Sequence, residues 1–293
     1  MKKIIQHTPV LLNEVVQTLN PKDSGIYIDA TFGTGGHTTL ILENSSCKVI
    51  GLDCDHNSFT YSNHLKKIYE KRFTFIHDNF KNIDSILKKL NISTINGIIF
   101  DLGISSVQLD DKKRGFSFLG DGPLDMRMDN TLLVSAKKLI NTINEEALAN
   151  LIYYYGGERR SRYIAKNIVK FRQKKVIEST SQLVKAIGIN YYNDRIHFAT
   201  RTFQALRIAI NNELENLKVS LNKIPRLLSN NSTIAIVTFH SLEDKIVKDC
   251  FNHLSQGKQF KKINQRVITP TTNEIKDNPR ARSAKLRGLQ KLI

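Results

Sequence analysis

The chain has 293 residues, of which 40% are hydrophobic and 24% charged, with 15 glycines and 6 prolines. This is the composition of a globular protein and excludes a fibrous or long disordered chain. The 44 Lys+Arg outnumber the 27 Asp+Glu, and the formal net charge of +17 points to a polyanionic partner, with a lysine-rich solubilising surface as the plainer alternative.

Residues 1–9 carry two lysines but no sustained apolar stretch, and no segment approaches the ~20 apolar residues of a membrane span. A soluble, cytoplasmic protein is expected. Residues 26–31, Ile-Tyr-Ile-Asp-Ala-Thr, read as a short buried strand ending in an acid, followed by the turn Phe32-Gly33-Thr34-Gly35-Gly36-His37 and a helix over 38–43. Strands at 48–53, 73–78 and 95–101 alternate with helices at 57–69 and 83–90, and each of these strands ends in an acid. Such alternation implies right-handed crossovers and a parallel sheet.

The alternation stops at Gln108. A turn-rich stretch, 110–125, leads into helical patterns at 131–142, 145–155, 158–175 and 180–188. A helix at 212–228, with Leu214, Leu217, Leu221, Ile224 and Leu228 at helical spacing, restores the pattern before a fifth strand at 233–239. The tail offers a closing antiparallel pair, 265–268 with 285–289. The expected division is a discontinuous α/β core, 1–107 with 201–293, and a mainly helical insertion, 108–200. The cysteines Cys47, Cys54 and Cys250 form no Cys-x-x-Cys and no zinc spacing, so a reducing compartment and no structural metal are expected.

The glycine turn carries the strongest chemical signal. In an open parallel sheet ligands sit beyond the carboxyl ends of the strands. Gly33, Gly35 and Gly36 let backbone approach a ligand closely, and Asp53 stands where a carboxylate accepts ribose hydroxyls. A dinucleotide would need a third glycine where Thr38 sits. Asp29, four residues before Gly33, would repel a pyrophosphate but suits a cationic ligand, so S-adenosylmethionine is the expected cofactor. Asp101, Ser105 and Ser106, at the end of the fourth strand, could accept protons from an amine, although capping is their plain reading. Arg162, Lys166 and Lys170 recur every fourth residue beside Arg159, while Ile164 and Ile168 occupy another face, and Arg201, Arg280 and Arg282 add cationic positions for RNA phosphates. Lys285 and Arg287 count with that basic tail. Tyr153-Tyr154-Tyr155 reads as core before it reads as a base-stacking platform. The His240-Ser241 neighbours lack the G-x-S-x-G elbow of a hydrolase.

Several blocks together resemble one family. They are His7-Thr8-Pro9-Val10-Leu11-Leu12, the glycine turn, Asp101-Leu102-Gly103-Ile104-Ser105-Ser106, Gln108-Leu109-Asp110, Arg114-Gly115-Phe116-Ser117-Phe118, Asp121-Gly122-Pro123-Leu124-Asp125-Met126-Arg127-Met128-Asp129, Ala199-Thr200-Arg201-Thr202-Phe203-Gln204, Phe239-His240-Ser241-Leu242-Glu243-Asp244 and Asn278-Pro279-Arg280-Ala281-Arg282-Ser283. The pattern is similar to that of the MraW family, bacterial small-subunit ribosomal RNA (cytosine-N4)-methyltransferases. That resemblance implies a class I, Rossmann-like methyltransferase core with an inserted helical RNA-recognition domain. It implies S-adenosylmethionine contacts at Gly35, Gly36, His37, Asp53, Phe80, Asp101 and Gln108, with Phe80 against the adenine. The implied partner is small-subunit ribosomal RNA, within an assembled or near-assembled particle, with no membrane and with a homodimer left open. The chain departs from the family where Val107 and Phe198 replace frequent prolines, which bears on loop stiffness. A DNA amino-methyltransferase would carry a Pro-Pro turn where Leu102-Gly103 stands. A non-catalytic RNA-binding assembly factor is the alternative of a different class.

Overall fold

The structure is a computed structural model and describes residues 9–188 and 197–293, so His7 and Thr8 of the first motif lie outside the described residues. In chain order it contains α1 (Leu12–Leu19), β1 (Ile26–Asp29), α2 (Gly36–Asn44), β2 (Lys48–Asp53), α3 (Ser58–Tyr69), β3 (Phe73–His77), α4 (Ile83–Lys89) and β4 (Ile95–Asp101). There follow α5 (Ser106–Asp110), α6 (Ala136–Thr142), α7 (Glu145–Gly156), α8 (Ser161–Arg172), α9 (Thr180–Ile187) and α10 (Thr200–Asn211). The chain returns through α11 (Glu213–Leu227), β5 (Leu228–Thr238), α12 (Ser241–Leu254), β6 (Phe260–Lys262), α13 (Thr272–Asp277) and β7 (Lys285–Lys291).

The chain divides into two units, Met1–Gly103 with Leu214–Ile293, and Ile104–Glu213. The second unit runs further than the sequence boundary at 200. Phe203, Leu206 and Ile210 of α10 belong to its core together with Leu148 and Ile152 of α7 and Ile164 and Ile168 of α8. Among the described residues no helix is long and apolar enough to cross a membrane.

The first unit is a seven-stranded sheet in the order β3-β2-β1-β4-β5-β7-β6. β1 to β5 run parallel; β7 is antiparallel to β5, and β6 to β7. Because side chains alternate along a strand, register sorts the apolar residues into two layers. Ile28 pairs with Ile50 and Ile98, and Ile98 with Ile234. These residues face Ile83 and Leu87 of α4, Leu217 and Leu221 of α11 and Val247 of α12. Their strand neighbours Tyr27, Val49, Ile99 and Ala235 face Val15 and Leu19 of α1 and Ile41 of α2. Burial on both faces explains why these strands read as nearly continuous apolar runs. The strand order reverses between β1 and β4, and their carboxyl ends, Asp29 and Asp101, flank that switch point.

The closing pair differs from the sequence expectation. β7 pairs with Phe260–Lys262 over three positions, whereas Ile268 makes only an isolated bridge to Leu286. Lys285 and Arg287, counted above with the basic tail, make ion pairs within their own unit. Asp244 of α12 accepts Lys285 Nζ at 3.0 Å and Arg287 Nε at 2.7 Å, tying β7 to the helix beside it.

Burial pushes the Asp244 carboxyl up, but Arg287 and Lys285 together outweigh that and hold it below the usual carboxylate range. A depressed carboxyl contributes stability above its unfolded pKa of about 4, and that contribution is lost as pH falls through the folded value. Asp244→Ala should therefore cost ~1–3 kcal/mol near neutral pH, below the figure for a fully buried pair because both cations still touch water. Urea unfolding of wild type and variant should show the difference shrinking near pH 2.

Candidate functional site

The glycine turn is shaped by its contacts with the neighbouring strands of the first unit. Gly33 and Gly35 have φ of +54° and +81°, the left-handed region that glycine occupies without strain. A Cβ on Gly35 would lie 2.8 Å from the Phe32 ring and 3.1 Å from Leu65, so the position also excludes a side chain by contact. Gly33 N donates to Asp53 Oδ2 at 2.6 Å and Asp55 N to Asp53 Oδ1 at 2.8 Å. Ala30 N donates to Ile99 O at 2.9 Å and Phe32 N to Leu52 O at 2.9 Å, carrying both adjacent strands into the turn. Asp101 N donates to Thr31 Oγ1 at 2.6 Å. The tips of β1, β2 and β4 are thereby held to one loop.

Three carboxyl groups meet at these tips. Asp29 is buried; its Oδ2 accepts Thr38 Oγ1 at 2.7 Å and its Oδ1 accepts Thr31 N at 3.3 Å. Burial pushes it up to about 6, against the pull of those hydrogen bonds and with the help of Asp53. Burial likewise raises Asp53, although the Asp55 and Gly33 amides oppose it. Asp101 is pushed up to about 8 by burial first, then by the charges of Asp29 and Glu243. Its Oδ2 lies 3.9 Å from His37 Nδ1, and its Oδ1 is buried without a hydrogen-bond partner among the described residues. No lysine or arginine is among the leading causes of the three shifts. A cluster of such carboxyls beside glycine backbone fits a cationic cofactor and disfavours a pyrophosphate.

The other expected residues have varied environments. His37 is buried in the first turn of α2, at the mouth of the same loop. Phe80 is half-buried and meets the Phe100 ring edge-on at 5.3 Å, leaving it bordering the core rather than within it. In the second unit, Ser105 caps α5. Its Oγ accepts Gln108 N at 3.2 Å, and Gln108 Oε1 accepts Ser105 N at 2.9 Å, a complete capping box. The Ser105 hydroxyl and the Gln108 amide thus have structural work; Ser106 is the first residue of that helix and half-buried.

Arg159, Arg162, Lys166 and Lys170 are exposed, while Ile164 and Ile168 of the same helix are buried, as their spacing implies. Arg172, in contrast, is turned inward and caps the end of α6 by donating to Ile140 O and Ile143 O at 2.5 and 2.6 Å. Arg201 is exposed yet paired with Glu158 at 3.3 Å. Arg280 and Arg282 are exposed in the first unit. The expected core role of the tyrosine run is overturned, for Tyr153 and Tyr154 are exposed and Tyr155 is half-buried. Thr31 and Thr38, which hold the Asp101 amide and the Asp29 carboxyl, have no such role in the sequence reading, where Thr38 stands only for a missing glycine. Their signal is a hydroxyl two and nine residues after a strand-end acid.

A doubly wound sheet with a closing antiparallel strand, a glycine turn after β1 and acids at the tips of β1, β2 and β4 defines a Rossmann-like methyltransferase core. Within that class, residues 4–292 match the model of the MraW methylase family, and the chain belongs to this family. It is 47% identical to the "Ribosomal RNA small subunit methyltransferase H" of Wolbachia sp. subsp. Drosophila simulans (strain wRi) over 290 residues, covering 98% of this chain and 99% of that protein. It is 44% identical to the protein of the same name from Ehrlichia ruminantium (strain Welgevonden) over 299 residues, with 98% and 99% covered. Among solved structures, an rRNA methylase from Streptococcus thermophilus aligns with a TM-score of 0.45 at 13% identity, covering 96% of this chain and 94% of that one. The chain is a methyltransferase, and S-adenosylmethionine is its cofactor.

Asp53→Ala removes the acceptor of the Gly33 and Asp55 amides and one carboxyl from the strand-tip cluster. Calorimetric titration with S-adenosylmethionine should show affinity weakened at least about tenfold, the size of one lost charge-assisted hydrogen bond. Unchanged affinity in a folded variant would place the cofactor elsewhere.

Proposed function

We propose that the protein transfers a methyl group from S-adenosylmethionine to the exocyclic N4 amine of a cytidine in small-subunit ribosomal RNA. The observation that carries this reading is Asp101, a carboxyl at the switch point with one oxygen buried and unpartnered. An unpartnered buried acceptor costs free energy until a donor reaches it, and an amine N–H is such a donor. Membership of a methylase family, relatives named for the small-subunit ribosomal RNA and a net charge of +17 support RNA as the methyl acceptor. The cytosine N4 position is inferred from the Asp101-Leu102-Gly103-Ile104 turn and from the resemblance of the motifs.

Bound S-adenosylmethionine supplies an electrophilic methyl group on a positively charged sulfur. Gly33, Gly35, Gly36, His37, Asp29 and Asp53 would hold it, with Phe80 bordering its base. The cytosine amine is a weak nucleophile because its lone pair is shared with the ring. Asp101, by accepting one N–H, favours a pyramidal nitrogen with the lone pair localised, and in its ionised form takes the proton as positive charge develops. His37 Nδ1 lies 3.9 Å from the other oxygen, beside the carboxyl. A stacked base is out of reach, so the target nucleotide must be unpaired or flipped. Arg159, Arg162, Lys166, Lys170 and Arg201 of the insertion, and Arg280 and Arg282, would hold the surrounding phosphates, and an assembled or near-assembled particle is the substrate form we infer.

The decisive experiment is labelled-methyl incorporation into small-subunit ribosomal RNA, followed by mapping of the modified nucleotide. Incorporation at a position other than a cytosine amine, or none with folded protein, would refute the proposal. Because Asp101 acts as a base only when ionised, kcat/KM should rise with pH and level off near the value of about 8 to which its environment raises it. Asp101→Asn should lower turnover by at least about a hundredfold, the usual size of a general-base contribution, and flatten that limb. Near-normal turnover in the variant would remove Asp101 from the mechanism.

A further inference from the structure

On the second unit, Tyr153 and Tyr154 in the last turn of α7 and Tyr163 in the first turn of α8 expose 51%, 66% and 55% of their surface. Tyrosine is ordinarily intermediate in burial, so three rings this open on one helical hairpin are not there for packing. The unit's apolar requirement is met without them. α7 buries Leu148, Ala149 and Ile152, and α8 buries Ile164, Ala165 and Ile168. The Tyr153 and Tyr154 rings meet edge-on at 81°, with centroids 5.3 Å apart, an arrangement that covers neither ring with the other's face.

The residues between and beside the rings are cationic. α7 ends in Gly157 at φ +63°, which turns the chain so that Arg159 and Arg162 follow at the surface and Lys166 and Lys170 continue along α8. From 153 to 170 Glu158 is the single acid in the sequence; its side chain is 14% exposed and accepts Arg201 Nη1 at 3.3 Å and Arg160 N at 2.9 Å. The hairpin thus interleaves open aromatic rings with positive charge and shows solvent almost no negative charge.

We propose that the α7–α8 hairpin binds unpaired nucleotides of RNA, stacking bases on Tyr153, Tyr154 and Tyr163 and holding the intervening phosphates with Arg159 and Arg162. Cationic side chains alone would serve a duplex, where bases are already stacked on one another and a tyrosine ring gains little. Every unpaired base has an open π-face, so rings beside charges select single strands without reading sequence. The inference rests on the RNA-substrate reading above and specifies which part of the RNA the insertion grips, namely its single-stranded residues.

Two oligomers of equal length and charge test it: a twelve-nucleotide single-stranded RNA and the same ribose-phosphate chain without bases. The chain has 9 tyrosines and no tryptophan, so quenching of tyrosine emission reports stacking directly. Wild type should bind the base-bearing oligomer at least about tenfold more tightly than the abasic one, the size of one or two stacked bases. Y153A/Y154A/Y163A should lose the preference and the quenching while keeping the salt dependence. Y153F/Y154F/Y163F should keep the preference, because the ring rather than the hydroxyl does the binding. Arg159→Ala with Arg162→Ala should instead flatten the dependence of log K on log salt by about 0.7 per charge. All three rings are exposed, so thermal melts of the variants should match wild type. Equal affinity for the two oligomers in wild type, or a preference that survives in the triple alanine variant, would overturn the proposal and leave the hairpin to a protein partner. Methyl incorporation assayed in parallel keeps the two readings apart. Incorporation without base preference sinks this inference alone, and base preference without incorporation sinks the catalytic one alone.

Discussion

The cofactor end of the molecule is governed by the desolvation of Asp29, Asp53 and Asp101 at three neighbouring strand tips. Taking a carboxylate out of water is costly unless charge or hydrogen bonds compensate, and the described neighbours provide only hydrogen bonds. Thr38, the Gly33 amide and the Asp55 amide offset part of that cost. The remainder shows as raised affinity for protons, greatest at Asp101, where Oδ1 has no donor among the described residues. A site that holds protons too tightly is one into which any cation is drawn. The same crowding makes a phosphate-bearing ligand unfavourable there, because it would add negative charge to groups that already repel one another.

That constraint accounts for the main irregularity of the nucleotide-binding turn. A dinucleotide fingerprint has glycine at the position of Thr38, for close approach of helix and strand over a pyrophosphate. Here the Thr38 hydroxyl reaches Asp29, so the helix start is tied to the acid of β1 instead. Asp29 and Thr38 look like two separate departures in the sequence, yet they are the two ends of one hydrogen bond. Substituting either alone would leave a buried polar group unsatisfied, and the pair is best regarded as a single feature suited to a cationic ligand.

The parallel strands were legible because burial on both faces leaves runs of Ile, Val and Phe bounded by acids or glycines, and β2 and β4 fall at their expected limits. The strand-tip acids and turn glycines were legible for the same reason, since their places follow from the strands. Several helices were not, and for three of them the cause is visible. α10 buries Thr202 and Asn211 together with Phe203, Ala205, Leu206, Ile208 and Ile210, so polar residues on its buried side blur the apolar period. α12 places Glu243 and Asp244 on its buried side, the latter to hold Lys285 and Arg287, which interrupts the apolar pattern. α1 is short and follows Leu11 at φ +55°, without a side-chain cap to announce it. The partner strand of β7 was misplaced because Phe260–Lys262 is short and two-thirds lysine, the polar pattern of a protected sheet edge. The tyrosine run was misjudged because sequence shows aromatic identity but not which way a helix is rotated.

The most distinctive motif of the chain turns out to serve architecture. Residues 115–135 form a long irregular segment of the second unit, and such a segment needs internal support to keep one shape. Arg127 grips Asp125 through Nε at 2.6 Å and Nη2 at 2.8 Å and also donates to Leu132 O at 2.7 Å. Arg114 Nη2 donates to Arg127 O and Met128 O, and Asn211 joins Met126 O to Met128 N. Met126 is fully buried at φ +61°, a conformation that a non-glycine residue keeps only when its surroundings over-determine it. Leu124 N and Thr180 N exchange hydrogen bonds across the stretch with Glu178 O and Gly122 O, stitching the loop to the start of α9. Each element of Asp121-Gly122-Pro123-Leu124-Asp125-Met126-Arg127 therefore has a partner inside its own unit. A motif of this kind is specific because many contacts must be satisfied at once, whereas a proton acceptor such as Asp101 needs only a carboxyl at a strand tip. The residues of this one motif and the residues that would carry the chemistry are accordingly different sets, and substitutions in the motif are expected to act through folding of the insertion.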